Sequence, residues 1–136
     1  MGTTTTFMVY LSQQQTSAGL SLRGSCHGAQ AARQLEQALT EVLTPGPAFV
    51  WVDCRYLVFL SWHGQRAIFN AHQLARQMHC TLHWCGFSAS VLEQLAASGL
   101  HLLLNTLPAG SYQGPSALLQ ESGGSPWPPH TSKNGS

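Results

Sequence analysis

The sequence predicts an α/β domain in which a mixed, largely parallel sheet of about four to five strands packs against about three helices. Short apolar runs of strand type alternate with amphipathic helical stretches, and the loops between them are short. One run, Ala48 to Val52, is apolar throughout, which is typical of a central strand covered on both faces. A chain of 136 residues suits one such domain with a single core.

The first half of the chain is expected to form a hairpin, a helix and this central strand. Phe7 to Leu11 and Leu20 to Arg23 are short strand-type runs separated by a polar segment, which predicts an antiparallel hairpin. From about Ala29 to Leu43, apolar residues recur at intervals of three and four, the period of one helix face. A Pro-Gly-Pro sequence ends this helix before the strand begins.

The second half is expected to add two helices and two strands. Thr81 to Cys85 has the pattern of a strand, and Leu100 to Leu107 that of a last strand or strand-like segment. Between them, a third helix capped by Ser88 or Ser90 ends at Gly99. The inner face of the second helix is predicted at Ala67, Ala71, Leu74 and Met78, and that of the third at Val91, Leu92, Leu95 and Ala96.

From Pro108 onward the composition changes. Glycine and proline become frequent, and too little apolar surface remains to offset the entropy of ordering the backbone. We therefore expect residues 1–107 to form the domain and residues 108–136 to be a disordered C-terminal tail.

Charged residues make up only 8% of the chain, against about 25% in typical soluble domains. The net charge is +1 and the arginines are scattered, which argues against a nucleic-acid or anionic-membrane surface. Weak charge also removes repulsion between copies, so self-association is expected. No apolar stretch is long enough to span a membrane, and Met1 to Thr6 lacks the start of a signal peptide, so we expect a cytoplasmic protein.

The segment from Asp53 to Gly64, DCRYLVFLSWHG, carries the most informative motif. It resembles a loop of the STAS family, which comprises bacterial anti-sigma-factor antagonists and related domains of sulfate transporters. In that family a strand ends in Asp, a variable apolar segment follows, and Asp-Ser-Ser-Gly or Asp-Thr-Gly-Gly opens a helix. Without a gap, Asp53 matches the first Asp, Phe59 and Leu60 match the apolar pair, and Gly64 matches the closing Gly.

Other segments match the family in its order and spacing. Residues 23–26 resemble the turn after its second strand, Phe87 to Leu92 the start of its last full helix, and Ser98 to Leu100 the end of that helix. The resemblance thus covers Phe7 to Leu107 and implies a STAS-like fold.

The resemblance implies a non-enzymatic module, without a cofactor or metal, that regulates bacterial transcription or signalling by binding a partner protein. That partner would be a serine-kinase-type anti-sigma factor or a larger signalling assembly. The phosphoacceptor serine of the family falls on Trp62, so no phosphorylation is expected there. Ser61 occupies the position of the Asp in the family's motif, and His63 occupies that of its second hydroxyl residue. The expected partner contacts are Trp62, His63 and Gly64, with Ser61, Gln65 and Arg66 at the rim.

Several alternatives stay open at the level of sequence. The same fold serves as a small subunit of lipid-transport ABC complexes, where this loop would contact an ATPase. A metal- or haem-responsive sensor would use His79, Cys80, His83 and Cys85, since strand alternation puts the last two on one face.

Three further readings compete with these roles. The four cysteines, which include Cys26 and Cys54, are more simply reduced, buried thiols. Ser61 and His63 lack an acid placed to orient the histidine as a catalytic base. Trp62 could fold back onto Phe59 or Ile68 instead of meeting a partner.

Overall fold

The computed structural model describes residues 6–14, 17–120 and 126–128. Residues 1–5, which bear on the signal-peptide expectation, lie outside the described part. Strands and helices alternate as predicted: β1 (Met8–Gln13), β2 (Ala18–Cys26), α1 (Gly28–Leu43), β3 (Phe49–Leu60), α2 (Trp62–Gln77), β4 (Thr81–Cys85), α3 (Ala89–Ser98), β5 (Asn105–Leu107) and β6 (Pro126–Trp127). Short 3-10 helices occur at Leu100–Leu102, Ala109–Ser111 and Ser116–Leu119.

The strands form one mixed sheet in the order β5-β4-β3-β2-β1-β6. β2, β3, β4 and β5 are parallel, whereas β1 runs antiparallel to β2 and to β6. The predicted mixed, largely parallel sheet with three helices is thus confirmed. It has one strand more than expected, because β6 comes from the C-terminal segment and pairs with Val9 and Tyr10 of β1. None of the described helices is long and apolar enough to cross a membrane.

The helices supply one side of the core. α1 buries Leu35, Leu39 and Val42 completely, the face that its three- and four-residue spacing predicts. α1 and α2 pack against each other and against the sheet. α3 has a narrower buried stripe than predicted, because only Val91 and Leu95 are buried while Leu92 and Ala96 are exposed.

β3 is much longer than the five residues predicted from its apolar run. It continues past Asp53 to Leu60, because β2 extends in parallel beside it as far as Cys26. This pairing satisfies backbone groups that a loop would have left to solvent. Two register shifts between the strands, at Ser21/Arg23 and at Gly24/Ser25 of β2, each leave one extra residue in β3. Asp53 therefore lies within a strand and does not end it.

A buried carboxylate lies in the middle of this sheet. Asp53 is 1% exposed, and its Oδ1 accepts a hydrogen bond from Arg55 Nε at 2.9 Å. Its Oδ2 accepts one from the Ser21 hydroxyl at 3.1 Å. A buried charge is costly unless it is paired and hydrogen-bonded, and Asp53 meets both conditions.

The two arginines of this network also hold the C-terminal segment. Arg23 Nε donates to Ser21 Oγ at 3.0 Å, and its Nη2 donates to the carbonyl oxygens of Leu118 and Gln120 at 3.0 and 2.8 Å. Arg55 Nη2 donates to the carbonyl oxygen of Leu119 at 3.0 Å. We call this arrangement of Arg23 and Arg55 on residues 118–120 the arginine clamp.

The C-terminal segment also packs directly on the sheet. Leu118 is fully buried, and a Cβ added to Gly19 would lie 3.1 Å from its Cδ1. The Tyr112 ring meets Trp51 edge to face, with centroids 6.3 Å apart. Residues 108–120, which we expected to belong to a disordered tail, thus contact the sheet in the structure. Composition did not predict these contacts, because one leucine side chain and three backbone carbonyl oxygens make most of them.

The rest of the tail is only partly described. Residues 126–128 join the sheet edge, whereas 121–125 and 129–136 lie outside the described residues. That residues 1–107 fold by themselves stays a prediction.

We predict that Leu118→Ala lowers the free energy of unfolding by about 2–5 kcal/mol, the cost of emptying a buried leucine site. Urea unfolding measures it. Leu119→Ala is the matched control, because Leu119 is adjacent but 36% exposed, and it should change stability by less than about 0.5 kcal/mol. Equal, small effects of both substitutions would contradict the docked segment.

Candidate partner-binding site

Ser61 fixes the start of α2. It is the N-cap residue, and its Oγ accepts a hydrogen bond from the Gly64 N–H at 3.2 Å. Its own N–H donates to the carbonyl oxygen of Cys26 at 2.9 Å, which ties the turn to the end of β2. The Ser61 hydroxyl thus satisfies one of the amide groups that every helix start leaves without an intrahelical partner.

Trp62 is the first residue of α2 and is 63% exposed. Its indole stacks on the His63 ring, with centroids 4.8 Å apart and planes inclined by 20°. Packing into the core on Phe59 or Ile68 is therefore wrong. Phe59 instead meets His27 edge to face, and Ile68 is buried inside the helix layer.

Gly64 is buried, so it shapes the site from below. A Cβ at this position would lie 2.8 Å from Leu60 Cδ1 and 2.9 Å from Cys26 Sγ. Both distances are shorter than side chains tolerate, so glycine lets the first turn of α2 approach the ends of β2 and β3. The structure therefore places Gly64 under the predicted contact surface rather than on it.

Gln65 and Arg66 differ in how much of their hydrogen-bonding capacity the fold uses. Gln65 Oε1 accepts a hydrogen bond from the Ser98 hydroxyl at 2.6 Å, and its Nε2 donates to the Leu60 carbonyl at 3.4 Å. Arg66 is exposed and pairs with no carboxylate in the described part of the chain. Arg66 is thus a cation available to a partner.

Beside Trp62, an open groove of about 380 Å³ runs between α2 and the turn after α3. Its apolar walls are Trp62 and Phe69 on α2 and Leu100 and Leu103 on the other side. Sequence reasoning missed Phe69 and Leu103. Phe69 lies seven residues after Trp62, so a helical projection could have shown both aromatic residues on one outer face of α2.

The four residues of the alternative metal-sensor hypothesis, His79, Cys80, His83 and Cys85, do not form a metal site in the described part of the chain. His83 stacks on Trp51, with centroids 4.1 Å apart, and its Nδ1 lies 2.8 Å from Asn105 Nδ2. Cys80 and Cys85 are buried thiols. Among the described residues, no three His, Cys, Asp or Glu side chains are grouped so that they could hold a metal ion.

Burial also controls the charge of the thiols. It raises the pKa of Cys26, directly below Gly64, from 9.0 to about 12. Burial, and secondarily the Asp53 carboxylate, raises the pKa of Cys85 to about 11. These cysteines are therefore neutral apolar groups near pH 7, and the thiolate that nucleophilic chemistry needs is suppressed.

We predict that an anti-sigma serine kinase with ATP leaves residues 61–66 unphosphorylated. Trp62 has no hydroxyl, and that of Ser61 is held in the helix cap. Peptide mapping by mass spectrometry measures the outcome. Trp62→Ser is the positive control, since it restores a hydroxyl at the family's acceptor position. Phosphate on Ser61 of the unmodified chain would overturn the prediction.

We also predict that stability falls as pH rises from about 9 to 11. The folded thiols keep their protons above the unfolded value of 9.0, whereas the unfolded chain releases them, so alkali favours unfolding. Urea unfolding at several pH values measures the slope. Cys26→Ala should make it shallower, and an unchanged slope would show that Cys26 does not contribute.

Comparison with solved structures identifies the architecture. The chain superposes on an anti-sigma factor antagonist from Mycobacterium paratuberculosis with a TM-score of 0.65 and 15% identity, over 75% of this chain and 86% of that one. It superposes on the anti-sigma factor antagonist SpoIIAA, in its unphosphorylated form, with a TM-score of 0.61 and 13% identity, over 72% and 86%. No protein-family model matches the sequence, and no curated protein matches it significantly. The resemblance in the sequence is thus confirmed for the fold: the chain has the STAS architecture of anti-sigma factor antagonists.

Proposed function

We propose that this chain is a non-enzymatic interaction module that acts as an anti-sigma-factor antagonist in the bacterial cytoplasm. It binds a partner protein through the surface formed by Ser61 to Arg66. The observation that carries the proposal is that the Trp62 side chain, at the start of α2, is 63% exposed to solvent. An exposed tryptophan buries a large apolar area when a partner binds and has few rotamers to lose, which is why tryptophans are frequent interface hot spots.

The rigidity of this surface supports the same role. Ser61 caps the helix, Gly64 packs on Leu60 and Cys26, and Gln65 is held by Ser98. A side chain on a backbone that is already ordered loses less entropy on binding than one on a mobile loop. The fold therefore presents Trp62 in a pre-organised position.

The chemistry around the loop favours binding over catalysis. The Ser61 hydroxyl accepts from a backbone amide, and His63 stacks on Trp62. A nucleophile needs a base that is itself oriented by a third group. No carboxylate forms an ion pair with His63 in the described part of the chain.

The partner class follows from the fold and the loop together. The two superposed proteins are anti-sigma factor antagonists by name, and the sequence resemblance puts the exposed Trp62 at the position of that family's phosphoacceptor serine. We propose a serine-kinase-type anti-sigma factor as the partner. Because Trp62 cannot be phosphorylated, the module would be constitutively competent, or controlled by its abundance rather than by phosphorylation.

We predict that Trp62→Ala weakens partner binding by about 2 kcal/mol or more, the scale of an aromatic hot spot. Stability should hardly change, because the side chain is largely exposed. A pull-down from the native cytoplasm identifies the partner by mass spectrometry, and calorimetry with the purified partner measures affinity. Phe49→Ala is the matched control, since Phe49 is a 54% exposed aromatic residue on β3 outside this surface.

Equal capture by the Trp62→Ala variant and the unmodified chain would refute the proposed site. Capture of transporter ATPase subunits in place of an anti-sigma factor would refute the proposed partner class and favour a lipid-transport role.

A further inference from the structure

The groove beside Trp62 has the length and lining of a site for a short helix. Trp62 and Phe69 are seven residues apart on α2, which places them roughly 10 Å apart along one face, about two helical turns. Leu100 and Leu103 form the opposite wall. Phe69 and Leu103 are 40% and 46% exposed. These spacings match the apolar anchors that a bound helix presents at positions i, i+3 or i+4, and i+7.

The neutral polar side chains that line the groove, Gln65 and Ser98, already form hydrogen bonds within the fold. Gln65 Oε1 accepts from the Ser98 hydroxyl, and that hydroxyl oxygen is also 3.4 Å from the Leu100 N–H. A ligand rich in hydroxyl groups would therefore find few partners here. The groove instead favours an occupant that brings apolar side chains.

The charge of the lining is one-sided. Arg66 lies between Trp62 and Phe69 on the same stripe of α2, and it is the only charged residue among those that line the groove. No acidic residue occurs in the first turn of α2. An acidic group on the occupant would complement this cation.

The same charge argues against two other occupants. A two-fold contact between copies would place the Arg66 guanidinium groups of both chains in one apolar interface without an acid. Binding to anionic lipid typically uses a cluster of basic residues, and the groove offers one arginine.

We propose that the groove receives an acidic amphipathic helix of the partner protein, with apolar anchors between α2 and the Leu100–Leu103 turn and a carboxylate on Arg66. This inference rests on the proposed function, since it takes the Trp62 surface as the place where the partner binds. It adds the form and the charge of the partner's docking element.

The first test is a selection of displayed random peptides on the full chain, with counter-selection on Phe69→Ser. The expected products have apolar residues at i, i+3 or i+4, and i+7, carry Asp or Glu beside them, and become helical on binding as measured by circular dichroism. Enrichment of basic or extended peptides, or no enrichment at all, overturns the inference.

The second test uses variants with the best selected peptide, followed by fluorescence anisotropy. Leu103→Ser should weaken binding about tenfold. Leu92→Ser should change it less than about twofold, because Leu92 is a similarly exposed leucine outside the groove. If Leu103→Ser and Leu92→Ser change the affinity for the peptide equally, the inference is overturned.

Charge reversal tests the acidic contact. Arg66→Glu should weaken binding of the selected peptide about fivefold. A second peptide, in which lysine replaces the acidic residue, should bind Arg66→Glu without this loss of affinity. Improved binding of the acidic peptide to Arg66→Glu, or no change with either peptide, would overturn the charge assignment.

Competition separates this inference from the proposed function. The selected peptide should displace the native partner identified by pull-down. A partner that depends on Trp62 but is not displaced would overturn the helix while leaving the proposed function intact. If the partner binds Trp62→Ala as tightly as the unmodified chain, the proposed function itself is refuted.

Two other occupants are tested with Leu103→Ser. If the unmodified chain sediments with phosphatidylcholine–phosphatidylglycerol vesicles and this variant does not, the groove binds a membrane. If the unmodified chain forms dimers and this variant does not, the groove binds a second copy.

Discussion

The buried carboxylate of Asp53 is the constraint on which the rest of the structure depends. It lies inside the sheet, where an unpaired charge costs several kcal/mol, and it is satisfied by Arg55 and the Ser21 hydroxyl. Ser21 in turn accepts from Arg23, so one carboxylate orients both arginines of the clamp. Three of the eleven charged residues in this chain serve this network. The Asp that marks the loop motif in the sequence thus organises the sheet and the C-terminal segment, whereas the candidate binding surface follows the C-terminal end of β3.

Elements whose apolar residues follow one period could be predicted from the sequence. The face of α1 and the caps of α3 at Ser88 and Gly99 are local patterns, and the structure has them as expected. The extension of β3 could not be found in this way, because its residues beyond Asp53 are ordered by pairing with β2. The docking of residues 108–120 could not be predicted from the sequence for a related reason. In the sequence Leu118 belongs only to a three-residue apolar run in a glycine- and proline-rich segment, and its burial follows from the fold, which places it against Gly19.

The candidate site shows the same division. The sequence singles out Trp62 because a family hydroxyl is missing there, and the exposure of the indole agrees with a contact role. Its position on the helix start follows from the Ser61 cap, which is again local. The groove is different, because its walls come from residues 62–69 and 98–103, which only the fold brings together. Gly64 was predicted as a contact, yet it is buried, since sequence alone does not distinguish a glycine that meets a partner from one that lets two elements approach.

The pairing of β6 with β1 has a consequence for solubility. A chain with a net charge of +1 has little electrostatic repulsion to keep molecules apart. An open strand edge in such a protein invites other chains to add strands and aggregate. Here Trp127 lies against the edge of β1 between Pro126 and Pro128, two residues without a backbone N–H. An incoming strand would find no donors at those two positions, so the C-terminal segment hinders strand addition along this edge beside Val9 and Tyr10.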